Sequence, residues 1–263
     1  MNIGQKPQYI AGFGMPKRAH TQDLVRPQAA LNNLRPTEAK GLGLSSEAAR
    51  SSMVARLRVL GISHPLVLSA LQSVPRHVFV DAAFASRAYE DTALPIGWGQ
   101  TISMPYTVAH MVQSALGAQP QIATGAWLEV GTGCGYQAAI MAHCAPHIYS
   151  QERIAGLADK ARANLDSIGL QRVQVRYNDG QLGWRHDAAA SAMRFDAILS
   201  AAAGAEISTA LQAQLTLGGR LLAPRHSAAG GQELVCIDRI SETQFVETIL
   251  GKAAFVPLLT GQA

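Results

Sequence analysis

Three short stretches in the second half of this 263-residue chain carry residues suited to holding a nucleoside. The first is Glu129-Val130-Gly131-Thr132-Gly133-Cys134-Gly135-Tyr136. Glycines at alternate positions let the backbone turn tightly and let a ligand approach the peptide groups. Dinucleotide-binding loops space their glycines G-x-G-x-x-G and set a helix N-terminus against the pyrophosphate. Here the spacing is compressed to G-x-G-x-G, with Tyr136 and Gln137 beyond it, which suits a nucleoside without phosphates. Glu152, 21 residues after Gly131, stands where an acid can accept hydrogen bonds from two ribose hydroxyls. Asp179-Gly180 adds an acid able to accept from an adenine amino group, beside a glycine that leaves room for the ring. Each feature alone has a duller reading: glycines also serve plain turns, and Glu152 could cap a helix starting at Ile154. Together, after three successive strands, they point to S-adenosylmethionine rather than NAD.

Upstream, Asp91 to Tyr106 contains Pro95, Gly97, Gly99 and Pro105 among the amide and hydroxyl groups of Gln100, Thr101 and Ser103. It fits neither a helical nor a strand period and is expected to be an irregular functional loop, against the plainer reading of an ordered connection. Cys134, Cys144 and Cys236 cannot all pair with one another and none lies in a CxxC, which implies free thiols in a reducing compartment. Cys134, at a helix N-terminus, reads as a serine substitute more readily than as a reactive thiol. His143, Cys144 and His147 are close in sequence but lack further ligands nearby, so no metal site is expected. Arg76 and His77 read as braces of a helix, and Trp98, Tyr106 and Trp184 as core or lid packing.

The elements that must position these groups alternate strand and helix from residue 125. Trp127 to Val130 is an apolar run leading into the glycines, and Tyr136 to His143 is the helix after it. His147 to Ser150 is a strand, Ile154 to Ile168 a helix closed by Gly169, and Val173 to Tyr177 and Phe195 to Ser200 are strands. Ile207 to Leu217 is expected to be helical, ending at Gly218-Gly219 before a strand from Arg220 to Ala223. Glu233 to Ile240 and Gln244 to Leu250 read as an antiparallel pair joined at Ser241-Glu242. The pattern predicts an α/β, Rossmann-like fold: a mostly parallel sheet with helices on both faces and an antiparallel C-terminal portion. Ahead of it, Ser45 or Ser46 is placed to cap a helix bearing Val54, Leu57 and Leu60 and ending at Gly61. A second helical segment runs from Pro65 to Ser73, and a third from Tyr106 to Leu116.

Composition sets the outer limits. At 48% hydrophobic and 15% charged residues the chain has a globular balance, with no apolar run of the roughly 18 residues a membrane span needs. The net charge of +4 comes from residues 1–52, where seven Lys or Arg face three Asp or Glu; the remainder is neutral. The high pI therefore describes the leader, and no nucleic-acid partner is expected of the body. Residues 1–45, broken by Pro7, Pro16, Pro27 and Pro36, read as a flexible basic extension, and residues 46–263 as one domain: helices and loop over 46–124, the sheet over 125–263. A cytoplasmic monomer is expected, with no apolar secretory segment at the N-terminus.

On these residues the chain resembles the protein-L-isoaspartate O-methyltransferase family. The matching stretches are Val74-Pro-Arg-His-Val-Phe79, Ala93-Leu-Pro-Ile-Gly97, Gln100-Thr-Ile-Ser-Met-Pro-Tyr106, Glu129 to Gln137, Asn178-Asp-Gly180, Phe195 to Ala203, Leu217 to Leu222 and Phe255-Val-Pro-Leu258. They keep the family's order over residues 53–258, and the Gln-Thr-Ile-Ser stretch is far more specific than the glycine loop. The departures are Cys134 for serine, Asn178 for glycine, Gly204-Ala205 where proline is common, and Met104 beside Ser103. The resemblance implies S-adenosylmethionine as methyl donor, S-adenosylhomocysteine as product, no metal, and an active-site serine at Ser103. It places Gln100, Thr101, Ile102, Ser103, Glu129, Gly131, Thr132, Gly133, Gly135, Glu152, Asp179 and Gly180 at the cofactor. It also implies the reaction: the free carboxylate of an isoaspartyl residue in a damaged protein attacks the sulfonium methyl. That carboxylate is already ionised at neutral pH, its pKa lying near ~4, so no general base is demanded. The resulting ester should collapse to a succinimide and give the chain another chance to reopen correctly. Three rivals share the residue pattern: a methyltransferase for a small molecule or RNA, a non-catalytic S-adenosylmethionine sensor, and an NAD-linked oxidoreductase, the last disfavoured by the short glycine spacing.

Overall fold

The computed structural model describes residues 8–9, 44–117, 119–184 and 193–263. Two residues of the expected extension form a short strand, β1 (Gln8–Tyr9); the rest of residues 1–43 lies outside the described residues. Helix α1 (Leu44–Val59) starts ahead of Ser45 and Ser46, so both serines lie in its first turn rather than capping it. It buries Met53, Val54 and Leu57. Helix α2 (Pro65–Ser73) has the bounds the sequence predicts: Pro65 occupies its first position, where a missing N–H costs nothing.

The stretch expected to be an irregular loop is a hairpin. Strand β2 (Leu94–Gly97) runs antiparallel to β3 (Gln100–Ile102). Leu94, Ile96 and Ile102 point into the core while Pro95 and Thr101 face out, an alternation that Pro95, Gly97 and Gly99 obscure in the sequence. Helix α3 (Pro105–Leu116) follows, with Tyr106, Val108, Met111 and Val112 buried.

The expected alternation then appears as β4 (Ala126–Val130), α4 (Tyr136–Cys144), β5 (His147–Glu152), α5 (Ala155–Ser167), β6 (Gln174–Tyr177), β7 (Phe195–Ser200), α6 (Thr209–Ala213), β8 (Leu215–His226), β9 (Gln232–Arg239) and β10 (Gln244–Ala253). The sheet order is β1-β10-β9-β8-β7-β4-β5-β6. Strands β6, β5, β4, β7 and β8 are parallel, β9 is antiparallel to β8 and β10, and β1 lies parallel along β10. The helix expected over Ile207 to Leu217 is confined to α6; β8 begins at Leu215, and Gly218-Gly219 fall inside it. Leu211 and Leu215 are both buried and four residues apart, which imitates a helical face. Leu215 instead pairs with Phe195, and a shift of register beside β7 absorbs the extra residues, with Gly218 at φ +78°.

The sheet divides the core. On one face Trp127, Tyr136, Phe79, Met111 and Leu157 pack beneath α1 to α5; on the other Trp184, Phe195 and Ile237 pack with Leu211 of α6. The order reverses between β4 and β7, so the loops leaving their carboxyl ends diverge and open a crevice there, where ligands of such sheets bind. Among the described residues, no helix is long and apolar enough to cross a membrane.

Candidate active site

The glycine loop closes the end of β4. Gly131 and Thr132 both donate their N–H groups to the Gln151 carbonyl, at 2.8 and 3.1 Å, tying the loop to the end of β5. Gly131, Gly133 and Gly135 have φ of +88°, +55° and +93°, a left-handed region that residues with a Cβ rarely adopt. Beneath the loop, the Ser150 hydroxyl donates to Glu129 Oε2 at 2.5 Å and lies 2.5 Å from the Thr132 hydroxyl. Glu129 is fully buried. Its Oε1 makes no well-aligned hydrogen bond, and neither does either polar atom of the Gln137 side chain, although that amide lies close enough to favour the ionised carboxylate. Burial pushes the Glu129 carboxyl up to about 8, with the Glu152 charge adding to the effect and Ser150 and Gln137 opposing it.

Glu152, at the end of β5, accepts from the Gly133 N–H at 2.8 Å and from the Ile154 N–H at 3.0 Å. The second bond is the helix-cap role the sequence allows; the first ties the acid to the glycine loop. Burial raises its pKa against those bonds. Asp179 is engaged elsewhere: Oδ1 accepts from Gln181 N–H at 2.9 Å and Oδ2 from Gly261 N–H at 2.7 Å. The room beside Gly180 is taken by Val130, since a Cβ at Gly180 would come within 2.3 Å of Val130 Cγ1.

The hairpin brings Ser103 to this floor. Its tip, Gly97-Trp98-Gly99, holds three consecutive positive φ values, Trp98 at +51° among them. The Trp98 indole is 57% exposed and lies against Gly156 at the start of α5, where a Cβ would stand 2.3 Å from Cζ2. Lys160 of α5 donates to the Ile96 carbonyl at 3.0 Å and pairs with Asp81 at 2.7 Å. At the far end of the hairpin, Asp91 Oδ1 accepts the Tyr106 N–H at 3.1 Å, and Arg76 Nη2 donates to the Ser103 carbonyl at 2.7 Å.

These walls enclose a cleft of about 920 Å³, counted to its open mouth. Gln100, Thr101, Ile102, Ser103, Glu129, Gly131, Thr132, Gly133, Glu152 and Gly180 all line it. Gly135 and Asp179 do not: Gly135 is the N-terminal cap of α4, close to Ala161 and Leu165 of α5. A profile of the protein-L-isoaspartate(D-aspartate) O-methyltransferase family matches residues 48–263. The chain belongs to this family. The protein-L-isoaspartate O-methyltransferase of Methylibium petroleiphilum is 44% identical over 250 residues, covering 93% of this chain and 91% of the relative. That of Ralstonia nicotianae is 43% identical, covering 98% of this chain and 81% of its own. The structure of the Plasmodium falciparum family member in complex with S-adenosyl-L-homocysteine shares the fold, with a TM-score of 0.69 at 21% identity over 80% of this chain and 98% of that one.

For this family member, residue reasoning missed one wall of the cleft. Val256, Pro257, Leu258 and Leu259 line it, held by Ala203, whose N–H donates to the Val256 carbonyl and whose carbonyl accepts from Leu258 N–H, both at 2.8 Å. The Phe255-Val-Pro-Leu258 stretch belongs to the resemblance, but nothing in its composition marks it as a binding wall. Gln137 and Gln151, buried polar groups at the floor, could have been noted as amides beside the glycines and Glu152. The three cysteines are buried free thiols, and among the described residues no group of three potential metal ligands gathers.

Proposed function

We propose that this protein esterifies the free carboxylate of isoaspartyl residues in damaged proteins, using S-adenosylmethionine as methyl donor. The observation that carries the reading is that Ser103, just past the second strand of the hairpin, and Glu129, under the glycine loop, line one cleft at the carboxyl ends of the parallel strands. The residues fit the donor. Glu129 Oε1 and the Gln137 amide are buried with no well-aligned hydrogen bond, as suits a ligand that brings its own ammonium and carboxylate to a pocket floor. In this reading Gly131, Thr132 and Gly133 approach the donor through their backbone, Glu152 takes the ribose hydroxyls, and Gln100 to Ser103 form the upper wall.

S-adenosylmethionine supplies there a methyl group on a positively charged sulfur, open to displacement by oxygen. The residues of the chain hold the substrate carboxylate in place and strip its water. Ser103 donates a hydrogen bond to one carboxylate oxygen and leaves the other free to react. Ile96, Ile102, Val108 and Leu157 give the cleft apolar walls, so the oxygen reaches the methyl with little solvation. In-line placement does most of the work, since the nucleophile needs no deprotonation at neutral pH. Asp179 is bonded to Gln181 and Gly261 and does not line the cleft, so it is assigned a role at the rim. We further propose that residues 46–263 act as one catalytic unit, since every residue lining the cleft lies within them, and that the protein is a cytoplasmic monomer.

The test is methyl transfer from labelled donor to two peptides identical except for an isoaspartyl or an aspartyl residue. Base-labile label on the isoaspartyl peptide alone is expected. Transfer to neither peptide, or to both equally, would contradict the proposal.

A further inference from the structure

Arg76 belongs to the 3₁₀ turn Arg76–Phe79 after α2 and is fully buried. A buried guanidinium is costly unless a carboxylate offsets it, yet none of the ion pairs among the described residues includes Arg76. Its bonds run to two main-chain carbonyls, Nε to Ala88 at 2.8 Å and Nη2 to Ser103 at 2.7 Å. The guanidinium carbon stands 4.6 Å above the Tyr136 ring, the Tyr136 side chain favours the cation, and Nη1 is buried without a well-aligned hydrogen bond. The titratable groups facing it are Tyr136, Cys134, Asp91 and Tyr89. Burial pushes Tyr136 up to about 12 and Cys134 up to about 11, so both are neutral at physiological pH. Asp91 acts on Arg76 through its field, with Oδ1 committed to Tyr106. A cation is thus held directly behind the residue assigned to receive an anionic substrate.

We propose that Arg76 is a positioning residue for methyl transfer: it fixes the Ser103 turn through the carbonyl and sets a positive charge behind the hydroxyl that meets the substrate carboxylate. The proposal rests on the reading of Ser103 given above. The planar fork matters as well as the charge, because one ammonium lacks the fixed geometry that holds two carbonyls at once. The buried cost of the guanidinium is then the cost of a preset field at the substrate site.

The test compares wild type, Arg76→Lys, Arg76→Met and Ser103→Ala, with initial rates on an isoaspartyl peptide across pH and calorimetry of S-adenosylhomocysteine binding. Arg76→Lys is expected to bind the nucleoside as wild type does and to lose about tenfold in kcat, the scale of one charge-assisted hydrogen bond. Arg76→Met should lose more, and the acid limb of its kcat profile should move up by about one pH unit, because the bound substrate carboxyl loses a nearby cation. A core brace alone would lower folding and nucleoside affinity together and leave that limb in place; this outcome overturns the proposal. If Arg76→Met does not fold, Arg76→Lys decides: an unchanged kcat, or losses of kcat and nucleoside affinity in step, overturn it. Full activity in Ser103→Ala would sink the Ser103 reading itself, whereas a slow Ser103→Ala beside fully active Arg76 variants would sink the Arg76 proposal alone.

Discussion

Replacing Glu129 by glutamine should stabilise the ligand-free protein at neutral and alkaline pH. Glu129 is fully buried, and desolvation raises its carboxyl from 4.5 to about 8. The folded state therefore holds a proton that the unfolded chain gives up between those two values. Below about pH 4.5 both states are protonated and the group contributes nothing. As pH rises from there, stability falls, and above about pH 8 the full penalty remains. At pH 7 the gap is 2.5 pH units, about 3 kcal/mol at 1.36 kcal/mol per unit, an upper limit because the site can relax. Glutamine cannot ionise and keeps an oxygen to accept the Ser150 hydroxyl. Urea unfolding of the ligand-free protein at several pH values should show the variant more stable by up to about 3 kcal/mol at pH 7, with the difference vanishing near pH 4.5. In the wild type, affinity for the cationic methyl donor should rise with pH towards 8, and in the variant it should not. Unfolding curves with the same pH dependence in both proteins, or a variant less stable at pH 8, would mean that Glu129 carries no buried proton.

Other outcomes follow from the same geometry. Gly156→Ala puts a Cβ 2.3 Å from the Trp98 ring, so the ring must leave α5; if that contact holds the hairpin tip down, the donor should dissociate several-fold faster in stopped-flow fluorescence while Tm stays nearly unchanged. Ser103→Ala should keep nucleoside affinity in calorimetry and slow transfer about tenfold or more, the effect of one oriented hydrogen bond to a charged group. The thiols of Cys134, Cys144 and Cys236 are buried and pushed up to about 11, 12 and 12 by desolvation. Iodoacetamide at pH 8 should therefore label none of them in the native protein and all of them in urea.

The parts of the site legible in the sequence are those whose physics is local. An apolar run into alternate glycines defines β4 and its loop, an acid at the end of the next strand reaches the same floor, and Pro65 marks the start of α2 by its missing N–H. Contacts made far along the chain leave no such mark. Asp179 meets Gly261 across 82 residues, and Arg76 meets Ser103 across 27, so the acid reads as free and the arginine as a helix brace. The hairpin is hidden for another reason: its tip puts Trp98 at φ +51°, a conformation the residue itself disfavours and the fold imposes. At the start of β8, Leu211 and Leu215 match a helical period that pairing with β7 overrides.

In the proposed function the carboxyl ends of β4 and β5 hold a nucleoside beside Ser103. Calorimetric titration of the purified protein with S-adenosylhomocysteine tests it most directly. One site per chain is expected, with affinity lowered at least tenfold in Glu152→Ala, which removes the carboxylate bonded to Gly133 and Ile154. No binding by the wild type, or binding that Glu152→Ala leaves unchanged, would contradict the account.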